Sequence, residues 1–361
     1  MGLPALSDNP SSAARHERYR GVETAAVYSD IKSEFAALST GCGLYDLSWR
    51  SRLRVSGGDR VRWLNGMITN NVRDLEPDHG IYAFLLNPQG RILADLYAYN
   101  AGEFLIIDTD RSQQKTVADI FDRYIIMDDV EVAALDSETT AIGICGPGAG
   151  AVLKAFGVEV ESLASLSFRN QTFRGINIRV VRGDMPLPAY ELWLAPADVN
   201  SVWDALVKAG ATPVGTQAFE LLRIACGIPL FGQDIRERDL PQETEQMRAL
   251  HFSKGCYVGQ EIVERIRSRG AVHRKFTGFV LQDPMPARGT KLRADDKEVG
   301  ELTSIGVLPL AQKDVPVALG YIRREAGVPG KQLQYGEATA TVSPVPFPEF
   351  LNAVNGTTDT R

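Results

Sequence analysis

Hydrophobic positions follow two rhythms along this chain. A spacing near 3.6 predicts helices at Tyr28 to Leu38, Arg60 to Gly66, Ser112 to Tyr124, Ala151 to Phe156, Pro196 to Val207, Gly215 to Arg223 and Gln260 to Arg267. Asp59 and Asp198 stand where N-caps are expected. Period-two alternation predicts strands at Arg52 to Gly57, Ile81 to Leu86, Arg91 to Tyr99, Phe104 to Asp108, Val130 to Leu135, Thr140 to Cys145, Ser167 to Arg174, Ile176 to Val181 and Ala189 to Leu194. The turn Asn87-Pro88-Gln89-Gly90 joins two of these into a hairpin. Strands, helices and hairpins mix irregularly, which argues for α+β rather than a doubly wound sheet. After Gly270 short strands recur between Gly/Pro turns: Lys275 to Leu281, Lys291 to Arg293, Glu298 to Thr303, Ala318 to Ile322 and Glu337 to Val342. That spacing predicts a small antiparallel barrel.

With 361 residues the chain has room for two or three domains. The expected division is an arm over 1–20, an α+β core over 21–245, a motif loop and helix over 246–272, the barrel over 273–347 and a frayed tail over 348–361. A net charge of -6 argues against generic attraction to DNA or an anionic membrane. No stretch approaches the ~20 apolar residues of a spanning helix, and the N-terminus lacks a secretory apolar core. Arg15, Arg18 and Arg20 hint at a transit segment, against which Asp8 and Glu17 count. A cytoplasmic setting is expected. Cys42, Cys145, Cys226 and Cys256 contain no CxxC pair, against a zinc or cluster site and against a disulfide framework.

The densest chemistry lies at Phe252-Ser253-Lys254-Gly255-Cys256-Tyr257-Val258-Gly259-Gln260-Glu261. A thiol beside a lysine and ahead of a helix N-terminus ionises more readily. From the residues alone Cys256 is either such a reactive thiol or a small buried hydrophobe. The turn Gly146-Pro147-Gly148-Ala149-Gly150 matches neither dinucleotide nor phosphate-loop spacing and reads as a plain strand-to-helix turn. Arg265, Arg267, Arg269, His273, Arg274 and Lys275 form one basic stretch. It is either a solvated face balanced by Glu261 and Glu264 or an attractor of an anionic ligand tail or tRNA. No aromatic platform accompanies it, against direct tRNA reading.

The string KGCYVGQE, Lys254 to Glu261, resembles the signature of the YgfZ-type folate-binding family, iron–sulfur cluster assembly and repair factors related to the T-protein of glycine cleavage. The flanks Leu240-Pro241-Gln242-Glu243, Arg265, Arg269-Gly270 and Arg274 agree. The resemblance implies a T-protein-like folate-binding fold with a C-terminal barrel and tetrahydrofolate as ligand. It implies Asp95, Glu191, Arg223, Tyr257 and Gln260 around that ligand, with Cys256, Lys254 and Asp95 as the reacting groups. Gly90-Arg91-Ile92-Leu93-Ala94-Asp95 resembles the T-protein segment that carries its key aspartate, with Ala94 where a second acid is usual. Tyr190-Glu191-Leu192 resembles the segment that offers a glutamate to the pterin, although the loop before it departs from the usual pattern. Arg223 to Asp234 resembles a further T-protein segment, with Ala225 in place of its glutamate. Arg223 then either pins a pterin or carboxylate, or forms an ion pair beneath the pocket.

The function implied is an accessory factor serving iron–sulfur client enzymes, tRNA-thiolating ones among them, rather than a classical transferase. Cys256 would act as a thiol or transient ligand, with no resident metal. The alternative is a folate-dependent aminomethyl- or methyltransferase, against which Ala94 is counted.

Overall fold

The computed structural model describes residues 14–270 and 272–356. The chain divides into two compact units: residues 1–85, 94–219 and 253–258 form the first, residues 86–93, 220–252 and 259–361 the second.

Unit 1 opens on a hairpin of β1 (Arg15–Tyr19) and β2 (Val22–Val27). Arg20 and Gly21 both adopt positive φ, 47° and 89°, as a tight two-residue hairpin turn requires. The expected arm over 1–20 is therefore corrected: residues 15–20 are ordered, and residues 1–13 lie outside the described residues. Thr216 donates to Glu17 at 2.7 Å, and Arg20 pairs with Asp110 at 3.1 Å. Two sheets follow. In chain order the elements are α1 (Ile31–Thr40), β3 (Gly43–Asp46), β4 (Arg50–Ser56), α2 (Arg60–Met67), β5 (Gly80–Leu86), β6 (Ile92–Asn100), β7 (Leu105–Asp110), α3 (Arg111–Tyr124), β8 (Glu131–Ala134), β9 (Thr140–Cys145), α4 (Ala149–Phe156), β10 (Phe168–Phe173), β11 (Ile176–Arg182), β12 (Ala189–Leu194), α5 (Val199–Lys208), β13 (Thr212–Pro213) and α6 (Thr216–Ala225). α6 runs on into unit 2.

One sheet has the order β5-β6-β7-β4-β8, the other β10-β11-β12-β9-β3-β13. One face of each packs against helices in a hydrophobic core. Leu53 and Val55 of β4 and Ala94, Leu96 and Ala98 of β6 pack with α2 and α3 in the first core. Ile142 and Ile144, with Tyr190, Leu192 and Leu194, pack with α4 and α5 in the second. The period of two then sends the intervening residues to the opposite faces.

Local chemistry sets the helix ends. Asp30 caps α1 by accepting from the Ser33 N–H at 2.9 Å. Asp59 and Asp198 do not cap with their side chains. The Asp59 carboxylate instead takes the Asp129 N–H at 3.0 Å and pairs with Arg62. The Gly146–Gly148 turn is packed tight against other backbone. Gly146 has φ +120°, and a Cβ there would lie 2.4 Å from the Gly41 carbonyl. Gly148 donates to that same carbonyl. These glycines serve a close backbone crossing.

In unit 2, β14 (Arg274–Leu281), β15 (Lys291–Ala294), β16 (Lys297–Pro309), β17 (Asp314–Arg323), β18 (Gln332–Tyr335) and β19 (Ala338–Ser343) close into a barrel in the order β14-β17-β16-β15-β18-β19. Its interior holds Phe279, Leu292, Leu302, Ile322, Leu333 and Val342. The helix α7 (Gln260–Arg269) precedes it. The expected frayed tail is a second correction. Residues 348–354 form α8 (Pro348–Val354), with Phe347 and Phe350 fully buried, and residues 357–361 lie outside the described residues. The architecture is α+β with a C-terminal antiparallel barrel.

Candidate functional site

The opposite faces of the two sheets in unit 1 mix charged and aromatic residues. β4 presents Arg50, Arg52 and Arg54. Its neighbour β7 sets Asp110, Asp108 and Ile106 directly across from them. Arg50 donates from Nε to Asp108 at 3.0 Å and lies 3.8 Å from Asp110. Arg52 is 1% exposed, with its Nε 3.3 Å from Asp108. β6 adds Asp95, Tyr97 and Tyr99 to the same face. From the other sheet β12 contributes Glu191 and Trp193. Arg52 links the two: it lies 3.7 Å from Glu191 and stacks 4.2 Å over the Trp193 ring.

Asp95 is half-buried. Its two oxygens accept from the Tyr82 hydroxyl and from Gln113 Nε2, each at 2.8 Å. Burial raises its pKa above the carboxylate range. The Gln113 hydrogen bond opposes that shift, and the nearby Asp110 charge adds to it. Glu191 keeps 26% of its side chain exposed. The Trp193 indole donates to its Oε2 at 2.7 Å. Burial first, then Asp108, push its pKa up, while Arg52 and Arg50 pull it back. The Tyr97 and Tyr99 rings lie 6.4 Å apart, and Trp193 meets Tyr99 edge-on at 5.3 Å. Unit 1 thus brings Asp95 and Glu191 onto one aromatic-lined polar face.

Ala94 is fully buried in the core on the helix side. Adjacent strand residues face opposite ways, so an acid at 94 would not enter this face. Ala94 in place of a second acid therefore does not count against transfer chemistry at this face.

The KGCYVGQE stretch divides its labour. Lys254 is buried, and its Nζ donates to the carbonyls of Asn65, Ile68 and Asn70, each at 2.6 Å. Burial, with Arg73 nearby, lowers it to about 7. The expected role of a cation beside the thiol is corrected: the ammonium is committed to a loop of α2's C-terminal end. Tyr257 is buried with Lys254 5.0 Å over its ring, and Val258 donates to the Gly66 carbonyl at 3.1 Å. In unit 2, Gly259 has φ +82°, and a Cβ there would meet the Asn87 carbonyl at 2.6 Å. Gln260 is the first residue of α7. Cys256 is exposed, whereas Cys42, Cys145 and Cys226 are buried. No group of three or more His, Cys, Asp or Glu suited to a metal ion occurs among the described residues.

Arg223, in unit 2, is 4% exposed. It donates to Glu220 at 2.9 Å, to Asp234 and the Ile228 carbonyl, and to Ser304 at 2.9 Å. This is the ion-pair alternative, and it leaves little of the guanidinium for a ligand. The basic stretch is also largely paired: Arg265 with Glu261, Arg267 with Glu264, Arg274 with Asp239 and Glu243. The Arg269 side chain lies outside the described residues. Sequence reasoning missed Arg50, Arg52 and Asp108, although the Arg50-x-Arg52-x-Arg54 alternation marked the two arginines.

Two sheets, each with one face packed under helices and carboxylates on the other, and a closed barrel downstream define a T-protein-like fold. The profile of the GCVT N-terminal domain matches residues 10–254, well over half the chain, and this chain belongs to that family. It is 29% identical to an aminomethyltransferase of Rubrobacter xylanophilus, over 95% of this chain and 93% of that one. It is 26% identical to an aminomethyltransferase of Halothermothrix orenii, over 91% and 94%. A putative chloroplastic transferase of Arabidopsis thaliana is 26% identical, over 86% and 72%. Among solved structures, the glycine cleavage system aminomethyltransferase T of Bartonella henselae superposes with a TM-score of 0.85, at 21% identity over 98% of this chain and 99% of that one. That likeness establishes the fold. No helix among the described residues is long and apolar enough to cross a membrane.

Proposed function

We propose that unit 1 binds tetrahydrofolate and that the chain acts in folate-dependent aminomethyl transfer of the T-protein kind. The observation that carries this is the pairing of two half-exposed carboxylates, Asp95 and Glu191, on one aromatic-lined face. Its support from relatives is that several similar chains are named aminomethyltransferases. Bound tetrahydrofolate would supply the nitrogens that accept or release a one-carbon group.

The residues fit such a ring system. Glu191 has Oε2 fixed by Trp193, and Oε1 has no hydrogen-bond partner among the described residues. It is therefore set to accept from the N–H edge of an aminopyrimidine. Asp95 is held in one rotamer by Tyr82 and Gln113. Its raised pKa suits it to hold a proton at a reacting nitrogen and give it up again. The half-buried Tyr97 ring supplies an aromatic surface beside them. The test is calorimetric titration with tetrahydrofolate, followed by an aminomethyl-transfer assay. Binding that weakens at least tenfold in Glu191→Gln, with turnover lost in Asp95→Asn, is expected. Absence of tetrahydrofolate binding by the wild type would defeat the reading.

A second reading has its own observation. Cys256 is exposed inside a stretch whose neighbours Lys254, Tyr257 and Val258 are committed to packing. This supports the YgfZ-type role, in which folate binding and an accessible thiol serve iron–sulfur client enzymes. Under it, Cys256→Ser abolishes rescue of cluster-enzyme activity in cells and leaves folate affinity unchanged. Full rescue by the serine variant removes the thiol from the mechanism.

A further inference from the structure

Arg52 has a second side. Although fully buried, its Nε, Nη1 and Nη2 have no hydrogen-bond partner among the described residues. Asp108 and Glu191 balance its charge at 3.3 and 3.7 Å but not with hydrogen-bond geometry. A buried guanidinium with unspent donors is costly, because each forgoes water without replacement. Arg52 also lines a cavity of about 600 Å3 within unit 1.

That cavity has a second arginine. Arg179 on β11 stands opposite Trp193 in the strand register. It spends Nε on Asn170 at 2.9 Å and lies 4.6 Å over the Phe168 ring. No carboxylate is hydrogen-bonded to it among the described residues. Burial lowers its pKa, and the Arg52 charge adds to that pull against Asp78. Two guanidinium groups that burden each other share one hollow. Arg54, also in the wall, is already paired with Glu138 at 3.1 Å. Phe104, Ile106, Leu135 and Trp193 give the hollow an apolar side.

We propose that this cavity binds a carboxylate-bearing small molecule, its carboxylate hydrogen-bonded by the Arg179 guanidinium, its charge favoured by the buried Arg52 guanidinium behind the wall, and its apolar body lodged against Phe104, Leu135 and Trp193. The planar fork of arginine matches a carboxylate with two parallel hydrogen bonds. A volume near 600 Å3 admits a ligand of ordinary metabolite size. The cavity shares Arg52 and Trp193 with the proposed folate face but uses neither Asp95 nor Cys256.

The test uses the full chain and two probes, benzoate and phthalate, in calorimetric titration, with uncharged benzamide as the comparison. Saturable binding of one probe is expected, with benzamide at least tenfold weaker. Arg179→Met should weaken the probe at least tenfold, and Arg174→Met, on an exposed turn outside the cavity, should leave it unchanged. Asn170→Asp is the second variant, because it supplies Arg179 with a resident carboxylate and should weaken the probe similarly whether or not Arg179→Met folds. Tetrahydrofolate affinity is expected to stay the same in these variants. No binding of either probe up to ~10 mM, a few kcal/mol in affinity, overturns the assignment. So does equal affinity for benzamide, or full affinity in Asn170→Asp.

Discussion

Lys254→Met separates two roles for the most basic residue of the KGCYVGQE stretch. In the structure its ammonium ties together the Asn65, Ile68 and Asn70 carbonyls at 2.6 Å each. The Asn65 and Ile68 bonds are buried and the Asn70 bond is partly open. Methionine keeps the length of the side chain and removes the donor. Each buried carbonyl left without a partner costs about 1–3 kcal/mol, and water can reach Asn70 in part. The removed desolvation of the ammonium offsets some of this. The net expectation is a loss of about 2–4 kcal/mol, read as a lower urea midpoint with an unchanged slope.

The pH dependence supplies an internal check. Lys254 is lowered from 10.5 to about 7 in the folded chain. Between those values the unfolded chain binds the extra proton, so this group makes stability rise with pH from about 7 to 10.5. That contribution to the slope should vanish in Lys254→Met. The same protein is then alkylated with iodoacetamide at Cys256. If the lysine is a pin, the alkylation rate of the folded variant stays within about twofold of wild type. A variant that keeps its stability within about 0.5 kcal/mol while its thiol slows tenfold would refute the reasoning.

Glu191→Gln should weaken tetrahydrofolate binding by about 1.5–3 kcal/mol, since a charged acceptor becomes a neutral one; titration calorimetry reads it, and unchanged affinity counts against the placement. Asp95 has a raised folded pKa, so the folded chain binds more protons just above the ordinary carboxylate range and stability falls there as pH rises. Asp95→Asn should flatten that fall in urea melts taken across the acidic range, and an unaltered profile would show that burial is not the dominant cause. Phe350→Ala should cost about 3–5 kcal/mol, because the ring is fully buried beneath α8; a thermal melt indistinguishable from wild type would return the tail to the frayed state expected from its composition.

Much of the fold was legible because alternation is a local signal. The β6 and β12 runs carry it strongly, and both strands lie where the rhythm put them. The hairpin at Arg20-Gly21 and the apolar pair Phe347 and Phe350 were also written in the chain, but polar flanks and terminal position hid them. β18 is only four residues long, too short for a period to declare itself. Lys254 was harder. No spacing reveals that a lysine near a cysteine will turn toward three carbonyls nearly two hundred positions upstream.

The same alternation rule decides what the site does and does not contain. It places Asp95 on the polar face and Ala94 in the core, so the two positions never compete for one role. It also places Arg50, Arg52 and Arg54 together, across from Asp108 and Asp110. What the strand rhythm lacks is the identity of the opposing sheet. Only the tertiary fold brings Glu191 and Trp193 to Arg52, and that contact converts a row of alternating arginines into a charged face with a cavity on one side and two carboxylates on the other. A polar face of this kind is expensive to bury. Its persistence between two well-packed hydrophobic cores is the physical reason why the folate-binding proposal rests on this face rather than on the lysine–cysteine stretch alone.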